Sequence, residues 1–119
     1  MANEITVTTA IAVTNGALKY TGATSRITPT QTTARGGAFT VDVGTSEETV
    51  SLGDLAPGYM RFTNLDVTNF VELGFSTGVY GIRLDANSGV ALFYRKAATT
   101  LYIKADTGAC KVQVEAINA

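Results

Sequence analysis

The sequence predicts an all-β fold, an antiparallel β-sandwich or jelly-roll-like barrel, as a single domain over residues 1–119. Three observations carry that expectation. Apolar residues recur at every second position in short runs, which is the period of a strand with one face in a core. Clusters of Gly, Asn, Asp and Ser separate these runs at regular intervals. No stretch combines a helical period with a cap over a useful length. Composition agrees, with 45% hydrophobic and 16% charged residues in 119, apolar enough for one core and too weakly charged for a disordered chain. The 12 Gly suit many turns, and Thr suits a pleated surface.

From the N-terminus, Ile5, Val7, Thr9, Ile11 and Val13 alternate with Thr6, Thr8 and Ala10 and predict a half-buried strand over residues 4–13. Asn15-Gly16 suits the centre of a type I′ turn, where both positions need positive φ, and Leu18 and Tyr20 begin the return strand. Residues 21–38 change character, because Ile27 is their only large aliphatic residue. They read as a polar, Thr-rich loop or arm, or as an edge strand over 26–32 in which the missing N–H of Pro29 does little harm. Phe39, Val41 and Val43 resume alternation, and Gly44 to Glu48 turn the chain before Val50 and Leu52 as a further strand pair. The adjacent Glu47 and Glu48 read as solvated turn charge, since neighbours on a strand point to opposite faces.

Residues 53–58 are turn chemistry, with Pro57-Gly58 at the centre of a type II turn. Residues 58–74 then read as one hairpin, its arms at 59–65 and 70–73. Asn64, Asp66 and Asn69 are expected to cap its turn by bonding nearby backbone groups. After the Ser76-Thr77-Gly78 turn, Tyr80, Ile82 and Leu84 alternate, and Asp85 to Gly89 turn the chain into a strand over 90–95. Strands over 101–104 and 110–117, joined through residues 105–108, close the chain.

Reactive chemistry is sparse. A net charge of -1 and a pI near 5.2 leave no basic footprint for nucleic acid. The first ten residues lack a basic, apolar leader pattern and no segment is long and apolar enough to cross a bilayer, so a soluble protein made without a cleaved signal is expected. With no His and one Cys, the usual imidazole base, zinc sets and internal disulfides are excluded. Cys110 lies in an alternating run and is expected to pack like a small hydrophobe. Gly36-Gly37 lacks the Lys and Ser or Thr of a phosphate-binding loop. Lys104 with Asp106, and Asp66 with Glu72, read as exposed strand-end charge, and Arg61, Arg83, Arg95, Lys96, Lys104 and Lys111 as scattered surface cations. No catalytic residue, cofactor site or metal ligand is assigned, and an enzyme is not expected. Tyr59, Tyr80, Tyr94 and Tyr102 offer area with a polar tip for an interface or a sugar.

Residues 58–74, centred on Phe62-Thr63-Asn64-Leu65-Asp66-Val67-Thr68-Asn69-Phe70-Val71-Glu72-Leu73-Gly74, resemble a recurrent segment of small tailed-bacteriophage virion structural proteins. The likeness continues through Asn87-Ser88-Gly89, residues 101–107 and residues 112–117, loosely includes residues 1–16, and leaves out 21–38. It implies a structural protein most like a capsid decoration, or cement, protein. Such a protein would sit on the capsid exterior as a small homo-oligomer, a trimer, bound between major capsid subunits and made in the host cytoplasm. Neither nucleic acid nor membrane would be a partner. The 21–38 arm would order on a neighbour as an added strand, with Arg26, Thr28, Pro29, Gln31 and Arg35 as partner-interface candidates. The alternatives are a head-to-tail connector or tail component, and a glycan- or host-surface-binding module using Tyr80 and Tyr94.

Overall fold

The computed structural model describes residues 3–51, 58–96 and 100–118, and these hold strands and no helix. They are β1 (Val7–Thr9), β2 (Ala12–Asn15), β3 (Leu18–Thr21), β4 (Ser25–Ile27), β5 (Gly36–Val43), β6 (Glu48–Thr49), β7 (Gly58–Asn64), β8 (Val71–Gly74), β9 (Ile82–Leu84), β10 (Val90–Arg95), β11 (Tyr102–Ala105) and β12 (Cys110–Asn118). They group into two compact units, one of residues before 34 and one over Ala34–Asn118. The all-β expectation holds; the strands before residue 34 pair only with one another, and the sandwich lies in the second unit.

The first unit is a β-ribbon. β2 pairs with β3, Asn15 opposite Leu18 and Ala12 opposite Thr21, and the rung continues where the Gly22 N–H donates to the Ile11 carbonyl at 2.9 Å. β1 then pairs with β4, Thr9 opposite Ser25 and Val7 opposite Ile27, and the Ile5 N–H reaches the Pro29 carbonyl at 3.1 Å. Between these rungs Ala10 faces both Ala23 and Thr24, the two-against-one count of a β-bulge. One bulged hairpin thus runs from residue 5 to residue 29, about 35 Å long at the usual rise of a strand. Its loop is Gly16-Ala17, one residue later than predicted. Gly16 carries φ 56° while Asn15 is not in the left-handed region, the pattern of a type II′ turn with Gly first. Residues 25–29, expected as loop or edge strand, form the return arm. The N–H of Gln31 donates to Glu4 Oε1 at 3.0 Å and fastens the chain just beyond it.

The described strands of the second unit, eight in number, form a sandwich. One sheet has the order β10-β7-β12-β5 and the other β6-β11-β8-β9, every pair antiparallel. Numbered one to eight within this unit, the strands pair first with eighth, second with seventh, third with sixth and fourth with fifth. A long double hairpin rolled onto itself gives that order, and it is the order of a jelly roll. Alternation fixes what faces inward: Met60, Phe62 and Asn64 from β7, Val112, Val114 and Ala116 from β12, against Val71 and Leu73 from β8, Leu84, and Ile103 and Ala105 from β11. Phe62 stacks on Phe93 with centroids 5.9 Å apart, and burying such a ring contributes about 2 to 3 kcal/mol.

The predicted hairpin over residues 58–74 is not one. β7 lies in one sheet between β10 and β12, and β8 lies in the other between β9 and β11. Residues 65–70 arch from sheet to sheet. Residues 44–47, 85–89 and 106–109 likewise cross between sheets, so β5 with β6 is no strand pair either. Only β8 and β9 are sequence neighbours that also pair within the sandwich's described strands. The physical reason is that turn residues let a chain reverse equally well within a sheet or between two. Leu52 and the turn over 53–57 lie outside the described residues.

Candidate interaction surface

The arches bring together the residues that the sequence singled out as turn caps. Asn64 is wholly buried at the end of β7. Its Nδ2 donates to the carbonyls of Asn69 at 2.9 Å, Leu84 at 3.1 Å and Asp85 at 3.3 Å, and its Oδ1 accepts the Asp66 N–H at 3.0 Å. Asp66 Oδ2 accepts the N–H groups of Asn69 at 2.7 Å and Thr68 at 3.0 Å. Those bonds, that of Asn69 first, hold the Asp66 carboxyl below its ordinary range. Asn69 Oδ1 accepts the Thr107 hydroxyl at 2.8 Å, joining the neighbouring arch. This cluster is scaffold: each polar atom named is engaged with its own chain.

Cys110 is buried and donates to the carbonyls of Gly108 and Asn69. Burial first, then Asp66 and Asp106, pushes its thiol above the usual range, which disfavours the thiolate, as expected of a packing residue. Glu47 corrects an expectation, because it is not a merely solvated turn charge. Its Oε1 accepts the Tyr80 hydroxyl at 2.5 Å and the Gly78 N–H at 2.7 Å, clamping residues 76–80 to the 44–47 arch. The Tyr80 bond lowers the Glu47 pKa, and the same bond pushes the Tyr80 hydroxyl up to about 12. Glu48, on the other side, accepts the Gly44 N–H at 2.8 Å. Arg95, grouped by sequence with surface cations, is buried at the end of β10.

The tyrosines do not form one platform. Tyr59 and Tyr94 meet edge to face at 5.0 Å on the β7–β10 pair, whereas Tyr80 lies beside the other sheet. There a shallow cleft of about 310 Å³ is lined by Phe70, Glu72, Tyr80, Ile82 and Arg83. Arg83 stacks 4.1 Å over the Phe70 ring, and Lys104 lies 5.8 Å from that of Tyr80. Among the described residues no group of three His, Cys, Asp or Glu is placed to hold a metal ion, and no helix is long and apolar enough to cross a membrane.

The partner-interface candidates separate. Arg26 is exposed in the middle of β4 opposite Thr8, Thr28 is exposed just beyond it, and the Pro29 carbonyl and Gln31 N–H are bonded to the opposite arm of the ribbon. Arg35 belongs to the second unit, where its carbonyl accepts the Asn118 N–H at 3.0 Å. What the sequence missed is beside them. Ile11, Val13, Leu18, Tyr20 and Ile27, expected in part as core, are 41% to 73% exposed. Alternation told that Ile11 and Val13 share a face and that Leu18 and Tyr20 do, and it was silent on whether anything covers those faces. The mirror arrangement of apolar residues about Gly16-Ala17 was the available signal of a two-stranded ribbon. No family model, curated protein or solved structure matches the chain.

Proposed function

We propose that this protein is a structural protein of a phage virion, a decoration protein that binds between major capsid subunits and stabilises the head. The observation that carries the reading is the ribbon: residues 5–29 form a long hairpin exposed on both faces beyond its first rungs, with no second layer in its own unit. Two strands alone are marginal in water, so such an element gains its order by packing on a neighbour. Arg26, Thr28 and Gln31 would meet the capsid subunit, with hydrogen bonds from the polar face of the ribbon. The jelly roll supports the reading as fold-level analogy only, since that architecture serves in viral shells and in lectins alike. The sequence likeness of residues 58–74 to virion proteins supports it independently.

The test is cosedimentation of the purified protein with assembled heads that lack it. Saturable binding is expected, and absence of binding at excess protein removes the reading. Labelling the protein in intact virions separates the alternatives: signal over the whole head fits decoration, signal at one vertex a connector, signal along the tail a tail component. A second reading, glycan binding, is favoured by one feature, the Phe70–Tyr80 cleft with Glu72 and Arg83 at its rim. Sugar binding lost in Tyr80→Ala would support it, and no binding at millimolar sugar would remove it.

A further inference from the structure

The outer half of the ribbon has two unlike faces. Cross-strand partners point to the same side of an antiparallel pair, so Val13 shares a face with Tyr20, and Asn15 with Leu18. Ile11 joins them: a Cβ built on Gly22 would stand 3.3 Å from Ile11 Cγ2 and 3.3 Å from Tyr20 Cε1, so these side chains meet above the glycine. The opposite face holds Ala12, Thr14, Lys19 and Thr21. One face is therefore apolar and free of charge, the other polar. All eight residues of β2 and β3 are exposed, Ile11 to 73% and Leu18 and Tyr20 to 58%. The four apolar side chains present on the order of 400 Å², within the range of the largest apolar patches on soluble monomers.

We infer that this face is a self-association surface, covered by the same face of a second copy of the chain. Three arguments select that occupant. The face carries no formal charge, so two copies meet without like-charge repulsion and a closed symmetric contact is allowed. Two ribbons stacked about 10 Å apart would turn both faces into the interior of a four-stranded sandwich, leaving Thr14, Lys19 and Thr21 in water. With Thr9, Ser25, Asn15 and Ile27 continuing the face, two copies together remove roughly 1,000 to 1,200 Å², the lower limit for a specific interface. An interface of that size belongs to the weak, reversible end of specific association. It does not depend on the virion reading: a chain that self-associates without binding heads keeps this inference and loses that one.

Sedimentation equilibrium of the full chain tests it. The wild type is expected to shift from monomer to a closed oligomer as concentration rises. Ile11→Asp and Leu18→Asp should each weaken that association by roughly 100-fold, as loss of a central apolar anchor does. Thr14→Asp, on the other face of the same ribbon, should leave it within about twofold. Urea unfolding of each variant checks that the sandwich is intact. A wild type that stays monomeric at its solubility limit overturns the inference. So does an oligomer indifferent to Ile11→Asp and Leu18→Asp, or one weakened equally by Thr14→Asp.

Discussion

Asn64 shows how a single side chain can stand in for local secondary structure. Where β7 ends, one buried amide serves four backbone groups: its two N–H hydrogens are shared among the carbonyls of Asn69, Leu84 and Asp85, and its oxygen accepts the N–H of Asp66. Asn64→Ala removes these bonds from a wholly buried position and should cost about 3 kcal/mol, read by urea unfolding. Asn69→Ala loses the bond from Thr107 and should cost about 1 kcal/mol while leaving partner binding of the folded protein intact. The Glu47–Tyr80 clamp gives a pH signature. Unfolded tyrosine loses its proton near 10.0 and folded Tyr80 near 12, so its contribution is whole below pH 10.0 and is lost as pH rises through 12. Glu47 works at the other end: its contribution is present above 4.5 and is lost as pH falls through its lowered folded value. Ultraviolet titration should show a late-ionising tyrosine that Tyr80→Phe removes and Glu47→Gln moves back toward 10.0. The capping roles of Asn64 and Asp66 were legible in their residue types, whereas the side chain of Asn69, expected to cap the same turn through nearby backbone, accepts from the Thr107 hydroxyl 38 residues on. Nor was the role of Glu47 legible, because its partners lie 31 and 33 residues away.

At the scale of elements, period and turn chemistry located most strands in both units. Phe39, Val41 and Val43, Ile82 and Leu84, and the run from Cys110 alternate in the structure as they do in the sequence. Pairing was less legible. Asp66-Val67-Thr68-Asn69 and Asp85 to Gly89 reverse the chain as expected, with Asn87 and Ser88 at φ 62° and 73°, but each carries it into the other sheet. Sheet membership depends on which distant strand offers a free edge, and that is absent from a local pattern. Gly74 marks one such close approach, since a Cβ there would lie 1.9 Å from the Val79 carbonyl oxygen, which is backbone and cannot swing aside. Gly74→Ala should therefore cost about 3 kcal/mol or more in a denaturant melt. Gly37→Ala on β5 meets nothing within 4 Å and should stay within about 0.5 kcal/mol of the wild type.

Over the whole chain, the two units follow different rules of stability. The second unit buries Phe62, Leu73, Leu84, Ile103 and Val114 between two sheets, whereas the ribbon leaves Ile11, Leu18 and Tyr20 in water. An alternating set of exposed apolar side chains on one face is the surface that the self-association inferred above would cover. The all-β class was legible in the sequence, and the separation of a ribbon was not, because alternation looks the same whether a face meets a core, a neighbour or solvent. Arg26→Ala, exposed on β4, should leave the unfolding midpoint unchanged and weaken head binding by roughly tenfold. The most direct measurement is the temperature at which heads lacking the protein break open, before and after its addition. The virion reading predicts a rise that saturates with added protein and reverses on dilution; heads that break at the same temperature with and without bound protein would contradict it.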